Sequence, residues 1–449
     1  MKKLAIIDLM FRWPPDGGAR VDVKEVASRL AVRYDVTLFA PRIRCVIDRG
    51  EIEGSLPFTV VPIPFKPREF NGPELERRFR QALAAMKPDI VFLADGFHLR
   101  PWVARAIGDT PYFLKFYAYE NLCNRYNGTF MRGDRSCYRT GAGSSIIDQT
   151  YCTLCGLKTI LTDTARGHRE MAREYFGARA WQLAHWRRIR EMLDSARHII
   201  VYNRLMQSIL ALHGWKSIVI PGGLDPRHFP YRPPRTPDGT IRLGMVGRIR
   251  DEQKGGVVAV RAMSHLRAAG YPVELHVTGN PEDELRYLPG VVFRGWFPHA
   301  RLTEFYDSVD IVIVPSVWQE PFGIVVLEAM CSGRPVIASR VAGPMDILTH
   351  GLTGRLVVPN SVDSLAEQVI ECMKQPEQTA RIVGEANRVA RTRYAWDTVV
   401  TEHYLPLVHG IVESVSGAGS YHVDFTGCLE CDTFGQNNGG DQTGGWSRR

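Results

Sequence analysis

The sequence has no apolar run approaching the roughly 20 residues that a membrane-spanning helix requires. Its first apolar run, residues 4–9, is short and is interrupted by Asp8, so we interpret it as a buried strand and not as an export signal. The formal net charge is +8, yet the basic residues are spread along the chain and no nucleic-acid motif accompanies them. We therefore expect a cytoplasmic protein that binds phosphorylated ligands or an anionic lipid surface, with no nucleic-acid partner.

Cysteine is too scarce, and its number is odd, for a framework of disulfides: there are nine in 449 residues. Four of them fall in residues 120–175, a stretch with little periodicity. Cys152 and Cys155 have the two-residue spacing that lets two thiolates reach one tetrahedral ion. Together with Cys123 and Cys137 they are candidate ligands of a structural Zn²⁺. Free thiols, a redox or iron–sulfur centre, and competition from Cys428 and Cys431 remain alternatives.

Short Val- and Ile-rich runs alternate with longer amphipathic segments, which is typical of parallel strands covered by helices. At this length two domains are expected, so the fold class is α/β with two facing Rossmann-like doubly wound domains and a cysteine-containing insertion in the first. Strands are expected at the following residues: 4–9, 36–39, 90–93, 112–116, 199–202, 218–220, 243–246, 273–277, 291–293, 311–314, 336–338 and 356–358.

A proline- and glycine-rich stretch at residues 221–237 predicts the domain boundary. The first domain then covers residues 1–220, with the insertion at about 120–175, and the second covers 221–378. Residues 414–449 are poor in apolar side chains, so we expect disorder there. Open parallel sheets bind ligands beyond the carboxyl ends of their strands, which predicts an active site between the domains.

Two charged constellations in the second half indicate chemistry. Arg248 follows a predicted strand, and Lys254 precedes Gly-Gly at a helix start, an arrangement that suits a diphosphate. Glu320 and Glu328 flank the turn Pro-Phe-Gly, where a helix is expected to begin near Gly323. The unpaired amides and positive potential of that helix start suit sugar hydroxyls and phosphate oxygens. Solvated surface side chains are the plain alternative for both pairs.

Taken together, these segments resemble glycosyltransferase family 4, the retaining enzymes of GT-B fold. The resemblance rests on Gly-Arg-x5-Lys-Gly, on Glu-Pro-Phe-Gly-x4-Glu-Ala-Met, on Gly-Leu-Thr-Gly-Arg-Leu-Val-Val-Pro and on the early glycine loop Pro-Pro-Asp-Gly-Gly. It is strong over residues 218–405 and weaker before them. It implies transfer of a sugar from a nucleotide-diphosphate sugar to an acceptor hydroxyl, in polysaccharide, glycolipid or glycoconjugate synthesis, with the acceptor a carbohydrate or lipid-linked molecule.

The resemblance also implies a role for individual residues. Arg248 and Lys254 would bind the donor diphosphate, Glu328 the ribose and Glu320 the transferred sugar. The remaining donor contacts would come from the glycine loop, the helix-start amides and the base pocket: Gly17, Gly18, Phe322, Gly323, Ile324, Gly279 and residues 295–297. No metal is implied for catalysis, and the chain has no Asp-x-Asp sequence to hold one. Residues 379–413 would form a closing helix that crosses back to the first domain.

The chain departs from the family pattern at two points. Tyr-Ala-Tyr-Glu stands at 117–120 where relatives often have a histidine, so His98 becomes the first-domain candidate for a sugar or acceptor contact. Asp346 replaces a commoner glutamate. Because fold does not fix function, a sucrose-synthase-like or phosphorylase-like enzyme and a catalytically silent nucleotide-sugar-binding protein remain alternatives.

A basic stretch at residues 166–190 carries seven arginines and two glutamates, interspersed with Trp181, Leu183 and Trp186. Basic amphipathic helices with tryptophan commonly lie in the lipid interface. The stretch predicts peripheral contact with the inner face of a membrane. A helix packed on its own domain, with a solvated basic face, is the alternative.

Overall fold

The computed structural model describes residues 1–15, 17–44, 48–125, 131–132, 135–137, 139–143, 145–165, 170–234, 239–247, 249, 251–279, 288–298 and 301–416. Two parallel β-sheets, each covered by helices, follow one another along the chain. This is the predicted α/β class with two Rossmann-like domains.

The first sheet has seven parallel strands in the order β3-β2-β1-β4-β5-β8-β9. Its central strands are buried on both faces, so they carry continuous apolar runs and do not alternate. The strands of this half are β1 (Lys3–Ile7), β2 (Asp35–Arg42), β3 (Thr59–Pro64), β4 (Ile90–Leu93), β5 (Tyr112–Lys115), β6 (Met131–Arg132), β7 (Arg135–Ser136), β8 (His198–Val201) and β9 (Ile218–Val219). The β6 and β7 strands form a separate antiparallel pair.

The second sheet has six parallel strands in the order β12-β11-β10-β13-β14-β15. They are β10 (Ile241–Met245), β11 (Val273–Val277), β12 (Val291–Phe293), β13 (Ile311–Val314), β14 (Val336–Ser339) and β15 (Arg355–Val357). The chain therefore passes from one sheet to the other between Val219 and Ile241, in the segment where the sequence predicted the boundary.

Helices connect nearly all consecutive strands, as parallel pairing requires. In the first half they are α1 (Gly18–Leu30), α2 (Gly72–Met86), α3 (Arg100–Ile107), α4 (Ile146–Ala165), α5 (Glu170–Gly177), α6 (Ala184–Ser195) and α7 (Arg204–Leu212). In the second half they are α8 (Gly256–Ala268), α9 (Leu302–Asp307), α10 (Ile324–Cys331), α11 (Ala342–Ile347), α12 (Val362–Lys374), α13 (Pro376–Arg393), α14 (Trp396–Val399) and α15 (Leu405–Ser416). Single 3₁₀ turns cover Phe97–Leu99, Pro226–His228 and Glu252–Lys254, and a π-helical turn covers Val400–Tyr404.

The insertion contains a 20-residue helix, α4, that the sequence pattern did not reveal. Its buried positions include Cys152, Thr153 and Gly156, whereas Leu154 and Leu161 are exposed. Helical periodicity is recognised from large apolar residues on the buried face. Apart from Ile160, the buried residues of this helix are small or polar, so its period was not visible.

The C-terminal helices divide between the two domains. Helix α13 packs against α10 of the second domain, and the chain then turns at Tyr394 so that the π-helical turn and α14 lie against α1 of the first domain. Two polar contacts fix this return: Arg29 Nε donates to Asp397 Oδ1 at 2.6 Å, and Lys115 Nζ donates to the Tyr404 hydroxyl at 2.8 Å. The crossing thus begins at about residue 394, later than the expected 379. The predicted disordered tail lies outside the described residues from 417 onward.

Candidate active site

A cavity of about 280 Å³ lies between the two domains, beyond the carboxyl ends of strands from both sheets. The first domain contributes the start of α1 and the residues after β5 and β8, and the second contributes the turns before α8 and α10. The lining residues are Gly18, Ala19, Asp22, Tyr117, Ala118, Tyr202, Gly222, Gly223, Lys254, Trp318, Glu320, Pro321, Phe322, Gly323, Ile324 and Trp396. The cleft therefore lies where the sequence predicted it.

Lys254 and Glu320 meet at the second-domain wall of this cavity. The Lys254 ammonium lies 2.7 Å from Glu320 Oε2. The same oxygen accepts hydrogen bonds from Trp318 Nε1 at 3.0 Å and from the Ser316 hydroxyl at 3.3 Å. A charge-assisted set of this kind holds the carboxylate in one orientation beside the cavity.

The turn between Glu320 and α10 has a backbone that demands glycine. Gly323 precedes the helix with φ of +89°, in the left-handed region that other residues seldom adopt. A β-carbon on Gly343 would lie 2.3 Å from the Phe322 carbonyl oxygen, so the two segments can approach only without one. From the first domain, Asn203 Nδ2 donates to the Pro321 carbonyl at 2.6 Å. The turn is thus held from both sides of the cleft.

Phe322 stacks on Tyr202 of the first domain, with ring centroids 5.0 Å apart and planes 21° apart. Across the same boundary, Gly18 faces Ile324: a β-carbon on Gly18 would meet Ile324 Cγ2 at 3.6 Å, an ordinary contact. A β-carbon on Gly17 would meet open space. Gly18 therefore faces the cleft, whereas Gly17 does not line the cavity and has no described neighbour beside its Cβ position.

Glu328 does not line the cavity. It is buried in α10, where its Oε2 accepts the Tyr306 hydroxyl at 2.7 Å. Burial, with the Glu328 charge beside it, raises the pKa of Tyr306 well above its usual value. For Glu328 to contact the donor ribose as expected, its carboxylate must either bind the ribose in addition to the Tyr306 hydroxyl or give up that hydrogen bond.

The expected base pocket lies at the ends of β11 and β12. The Gly279 amide donates to the Gly295 carbonyl at 2.9 Å, and both glycines have positive φ, +122° and +78°. Among the residues that the structure describes, neither β-carbon position meets another atom. Arg248 lies outside the described residues. Its neighbour Gly247 has φ of +116° and donates to Thr278 Oγ1 at 2.9 Å.

The first-domain wall carries a buried charged pair that the sequence reading missed. Lys115 Nζ lies 2.8 and 3.0 Å from the two oxygens of Asp22, and the Tyr202 hydroxyl donates to Asp22 at 2.9 Å. Asp22 lines the cavity although only 2% of its surface is exposed. The available signals were a lysine ending a buried strand and an aspartate one turn into the helix after the glycine loop.

A second buried network orients the loop at Tyr117 and Ala118. The Glu120 carboxylate accepts both of their amides, at 2.8 and 2.7 Å, and lies 3.3 Å from Arg100. Burial raises the pKa of Glu120 to about 7, and Asp95 raises it further while Arg100 opposes the shift. Burial likewise raises the pKa of Asp8, in the same region, to about 7.

His98 is not at this cavity, which corrects the expectation of a sugar or acceptor contact. It lies in the 3₁₀ turn before α3, is 3% exposed, and packs edge-on against Tyr175 of the insertion at 5.2 Å. Burial lowers the pKa of His98 to about 4, and its Nε2 has no hydrogen-bond partner among the described residues. The insertion packs over His98 at this end of the first domain, and its position there could not be predicted from the sequence.

The structure describes the four insertion cysteines as thiols and not as disulfides, and Cys123, Cys137 and Cys155 all lie near enough to Cys152 to act on its charge. Burial raises the pKa of Cys152 to about 12, with further upward contributions from Cys123, Cys137 and Cys155. In the part of the chain that the structure describes, however, no three His, Cys, Asp or Glu side chains stand in an arrangement ready for a metal ion. Cys428 and Cys431 fall outside it.

Part of the basic stretch at 166–190 packs against its own domain. Trp186 is completely buried, and its Nε1 donates to Thr153 Oγ1 at 2.8 Å, so this tryptophan cannot enter a lipid interface. Trp181 and Leu183 are 48% and 39% exposed. None of the helices that the structure describes is long and apolar enough to cross a membrane.

Two family models account for most of the chain. One, described as "Glycosyl transferase 4-like domain", matches residues 17–223, and the other, described as "Glycosyl transferases group 1", matches residues 240–375. The first match covers the strands of the first sheet after β1, and the second covers all six strands of the second sheet. The chain belongs to glycosyltransferase family 4.

Curated relatives support this membership over part of their length. The chain is 36% identical over 166 residues to an uncharacterized glycosyltransferase of Methanocaldococcus jannaschii, which covers 35% of this chain and 42% of that one. It is 32% identical over 216 residues to the phosphatidyl-myo-inositol mannosyltransferase of Mycolicibacterium smegmatis, covering 46% and 54%. The chain thus spans about half the length of the curated relatives it matches.

Solved glycosyltransferase structures share the whole fold. Sucrose-phosphate synthase from Thermosynechococcus elongatus aligns with a TM-score of 0.63 at 18% identity, over 93% of this chain and 100% of that one. HepE of Anabaena, solved in complex with UDP and glucose, aligns with a TM-score of 0.60 at 18% identity, over 91% and 100%. The fold of this family 4 member is therefore GT-B.

Proposed function

We propose that this glycosyltransferase moves a sugar from a nucleotide-diphosphate sugar to an acceptor hydroxyl, using the cavity between its domains. The observation that supports this most is the Lys254–Glu320 pair at the cavity wall, at the two positions to which the family resemblance assigns the diphosphate and the transferred sugar. The structural neighbour HepE was solved with UDP and with UDP-glucose. A uridine nucleotide is therefore the first donor to try.

The proposed reaction retains the anomeric configuration. The acceptor oxygen forms a bond to the anomeric carbon on the face from which the nucleotide leaves, the bond from that carbon to the phosphate oxygen breaks, and the acceptor proton passes to the departing diphosphate. Lys254 and Arg248 would stabilise the negative charge on that diphosphate, with the positive end of α10 beside them. No metal takes part in this scheme.

Binding of the donor provides a direct test. A ligand that binds only the folded protein raises its melting temperature by mass action. We expect one nucleotide sugar from a panel of uridine, guanosine, adenosine and thymidine diphosphate sugars to raise the Tm of the wild-type protein, and to raise that of Lys254→Ala much less. If no nucleotide sugar shifts the Tm or is consumed, the donor proposal fails; a shift without any consumption of the donor favours the catalytically silent binding protein instead.

The acceptor decides between the enzymatic alternatives. Polysaccharide, glycolipid or glycoconjugate synthesis needs a carbohydrate or lipid-linked hydroxyl. A sucrose-synthase-like enzyme would use a free sugar, and a phosphorylase-like enzyme would use inorganic phosphate. We favour the first group because an exposed apolar and basic surface, described next, lies on the same domain as the acceptor side of the cleft.

We propose that the insertion contacts an anionic membrane. The outer face of α4 exposes Ile147, Leu154 and Leu161, which are spaced by seven residues and so lie on one side of the helix. Phe176, Trp181 and Leu183 are also exposed on the following segment. Exposed arginines accompany them at positions 173, 179, 187 and 190. Apolar and basic side chains together fit a lipid surface with negative headgroups.

The membrane proposal is tested with vesicles. We expect the wild-type protein to sediment with vesicles of phosphatidylglycerol at low salt, and a Leu154→Glu/Leu161→Glu variant to remain in the supernatant with an unchanged melting temperature. Equal sedimentation of both proteins, or none of either, would refute the assignment of this surface. Attachment at the inner face would place the protein in the cytoplasm.

Structural zinc at Cys123, Cys137, Cys152 and Cys155 also remains a proposal. The four thiols converge on one region of the insertion, although they are not arranged as a ligand set as they stand, so binding would require their side chains to turn inward. Metal content of untagged protein provides the test. About one equivalent of zinc, lost in Cys152→Ser, supports the site, whereas less than about a tenth of an equivalent refutes it.

A further inference from the structure

A second and larger cavity, of about 800 Å³, lies between the domains next to the first. The two cavities share only Tyr202 and Phe322, the stacked pair described above. Its walls come from the edge strand β9 and helix α7 of the first domain, and from α11, the end of α13 and the π-helical turn. This volume falls within the range of about 300–1,000 Å³ that small-molecule sites occupy.

This cavity has an excess of positive formal charge. Arg197, Arg204, Lys216 and Arg393 line it, against the acidic Asp346 and Glu402. The Asp346 carboxylate already accepts the Arg204 backbone amide at 2.7 Å. The side chains of Arg197, Arg204 and Lys216 make neither a hydrogen bond nor an ion pair with any described residue.

An independent feature of the cavity points to a ligand. Ser217 lines the cavity, and its hydroxyl oxygen is buried with no hydrogen-bond partner among the residues described. A buried hydroxyl without a partner is unfavourable. An acceptor oxygen brought in by a ligand would satisfy it once the side chain turns toward the cavity.

We propose that this second cavity binds a small phosphorylated molecule, with its phosphate held by Arg204, Lys216 and the Ser217 hydroxyl. Phosphate suits these groups because the guanidinium fork can bond two of its oxygens while the ammonium neutralises its second charge. The cavity is larger than an inorganic phosphate, which leaves room for the sugar or nucleoside part of a phosphate ester.

The position of the site indicates what binding does. Its ligand contacts both domains and the segment that crosses between them, and it lies against the Tyr202–Phe322 stack that also lines the first cavity. Occupancy therefore stabilises the contact between the two domains at that stack, beside the cavity used by the proposed transferase. The binding itself does not depend on the proposed transferase function.

The experiment uses inorganic pyrophosphate and isothermal titration calorimetry. An Arg248→Ala/Lys254→Ala background removes the two cations proposed for the donor diphosphate, so that only the second cavity is reported. In that background we expect pyrophosphate to bind, and Arg204→Ala and Lys216→Ala each to weaken it about tenfold. Arg388→Ala is the matched control, because it removes an exposed arginine from the same helix as Arg393 but outside this cavity; it is expected to bind as the background does.

Three results would overturn the proposal. One is the absence of pyrophosphate binding at low ionic strength in the background variant. Another is equal weakening by Arg388→Ala, which would indicate a general charge effect. The third is binding of phosphatidylglycerol vesicles that depends on Arg204 and Lys216 while pyrophosphate does not bind, which would assign the surface to lipid headgroups. Because calorimetry needs no turnover, an inactive protein leaves the test valid.

Discussion

Lys254 and Glu320 form an ion pair beside the turn that precedes α10, with 2.7 Å between Lys254 Nζ and Glu320 Oε2. Residues 66 positions apart are joined in this way. In the proposed reaction, the charge of the donor diphosphate competes with Glu320 for the lysine. The ion pair holds both groups at the cavity, where the proposal places the donor.

The first prediction concerns these two residues. We expect Lys254→Ala and Glu320→Gln each to lower kcat/KM by about 10²–10³-fold, because a charge-assisted contact to the donor in a preorganised site is worth roughly 2–4 kcal/mol. Steady-state kinetics with the donor identified in the binding screen provide the measurement. Circular dichroism should show an unchanged fold.

The double variant sharpens this prediction. Since the two side chains contact each other, the loss in Lys254→Ala/Glu320→Gln should be smaller than the product of the single losses. Arg301→Ala is the control, because it breaks an exposed pair with Glu304 on the same domain and should leave the kinetics unchanged. Near-normal turnover in both single variants would remove these residues from the site.

The second prediction concerns the stability of the Asp22–Lys115 pair. Lys115→Met leaves a buried carboxylate without its cation, and we expect the free energy of unfolding to fall by about 3–5 kcal/mol. Asp22→Asn/Lys115→Met removes both charges and should be more stable than Lys115→Met alone. Urea denaturation near neutral pH measures both. A double variant as unstable as the sum of the single variants would show that the pair acts through packing and not through charge.

The third prediction concerns pH. Because the pKa of His98 is lowered to about 4, the unfolded chain takes up this proton before the folded protein does, and stability is lost as the pH falls below about 6.5. The raised pKa values of Asp8 and Glu120 act in the opposite direction. The effect of His98 must therefore be measured as a difference between variant and wild type.

We expect His98→Leu to lose about 2 kcal/mol less unfolding free energy than the wild type between about pH 7.5 and 5. At pH 7.5 the variant should keep its transfer rate, because His98 does not line the first cavity. A large fall in rate without loss of fold would restore the sequence-based interpretation of His98 as a contact for sugar or acceptor.

The sequence predicted most strands because buried parallel strands are short, apolar and bounded by turns. It missed β3, whose Thr-Val-Val-Pro-Ile-Pro sequence contains two prolines. Proline removes a backbone donor and is tolerated only where pairing is incomplete, and β3 lies at the edge of its sheet. The helix α4 was missed for the different reason that its buried face is mostly small and polar.

At the site, the second domain was more predictable than the first. The Glu320 turn is local, so its sequence spacing carries its geometry. Asp22 and Lys115 are 93 positions apart and meet only in the folded sheet, so no local pattern links them. His98 follows the end of a strand, as the sequence suggested. The insertion nevertheless buries it, and no pattern in the residues around position 98 predicts burial by a distant segment.

The central claim is retaining transfer from a nucleotide sugar, and proton NMR of the first-formed product tests it most directly. The purified protein is mixed with its donor and acceptor, with EDTA present, and the anomeric signal is recorded before the product can mutarotate or react again. The account predicts that nucleoside diphosphate is released and that the product keeps the anomeric configuration of the donor, and that Glu320→Gln forms this product about 10²–10³-fold more slowly. A first-formed product of inverted configuration would contradict it.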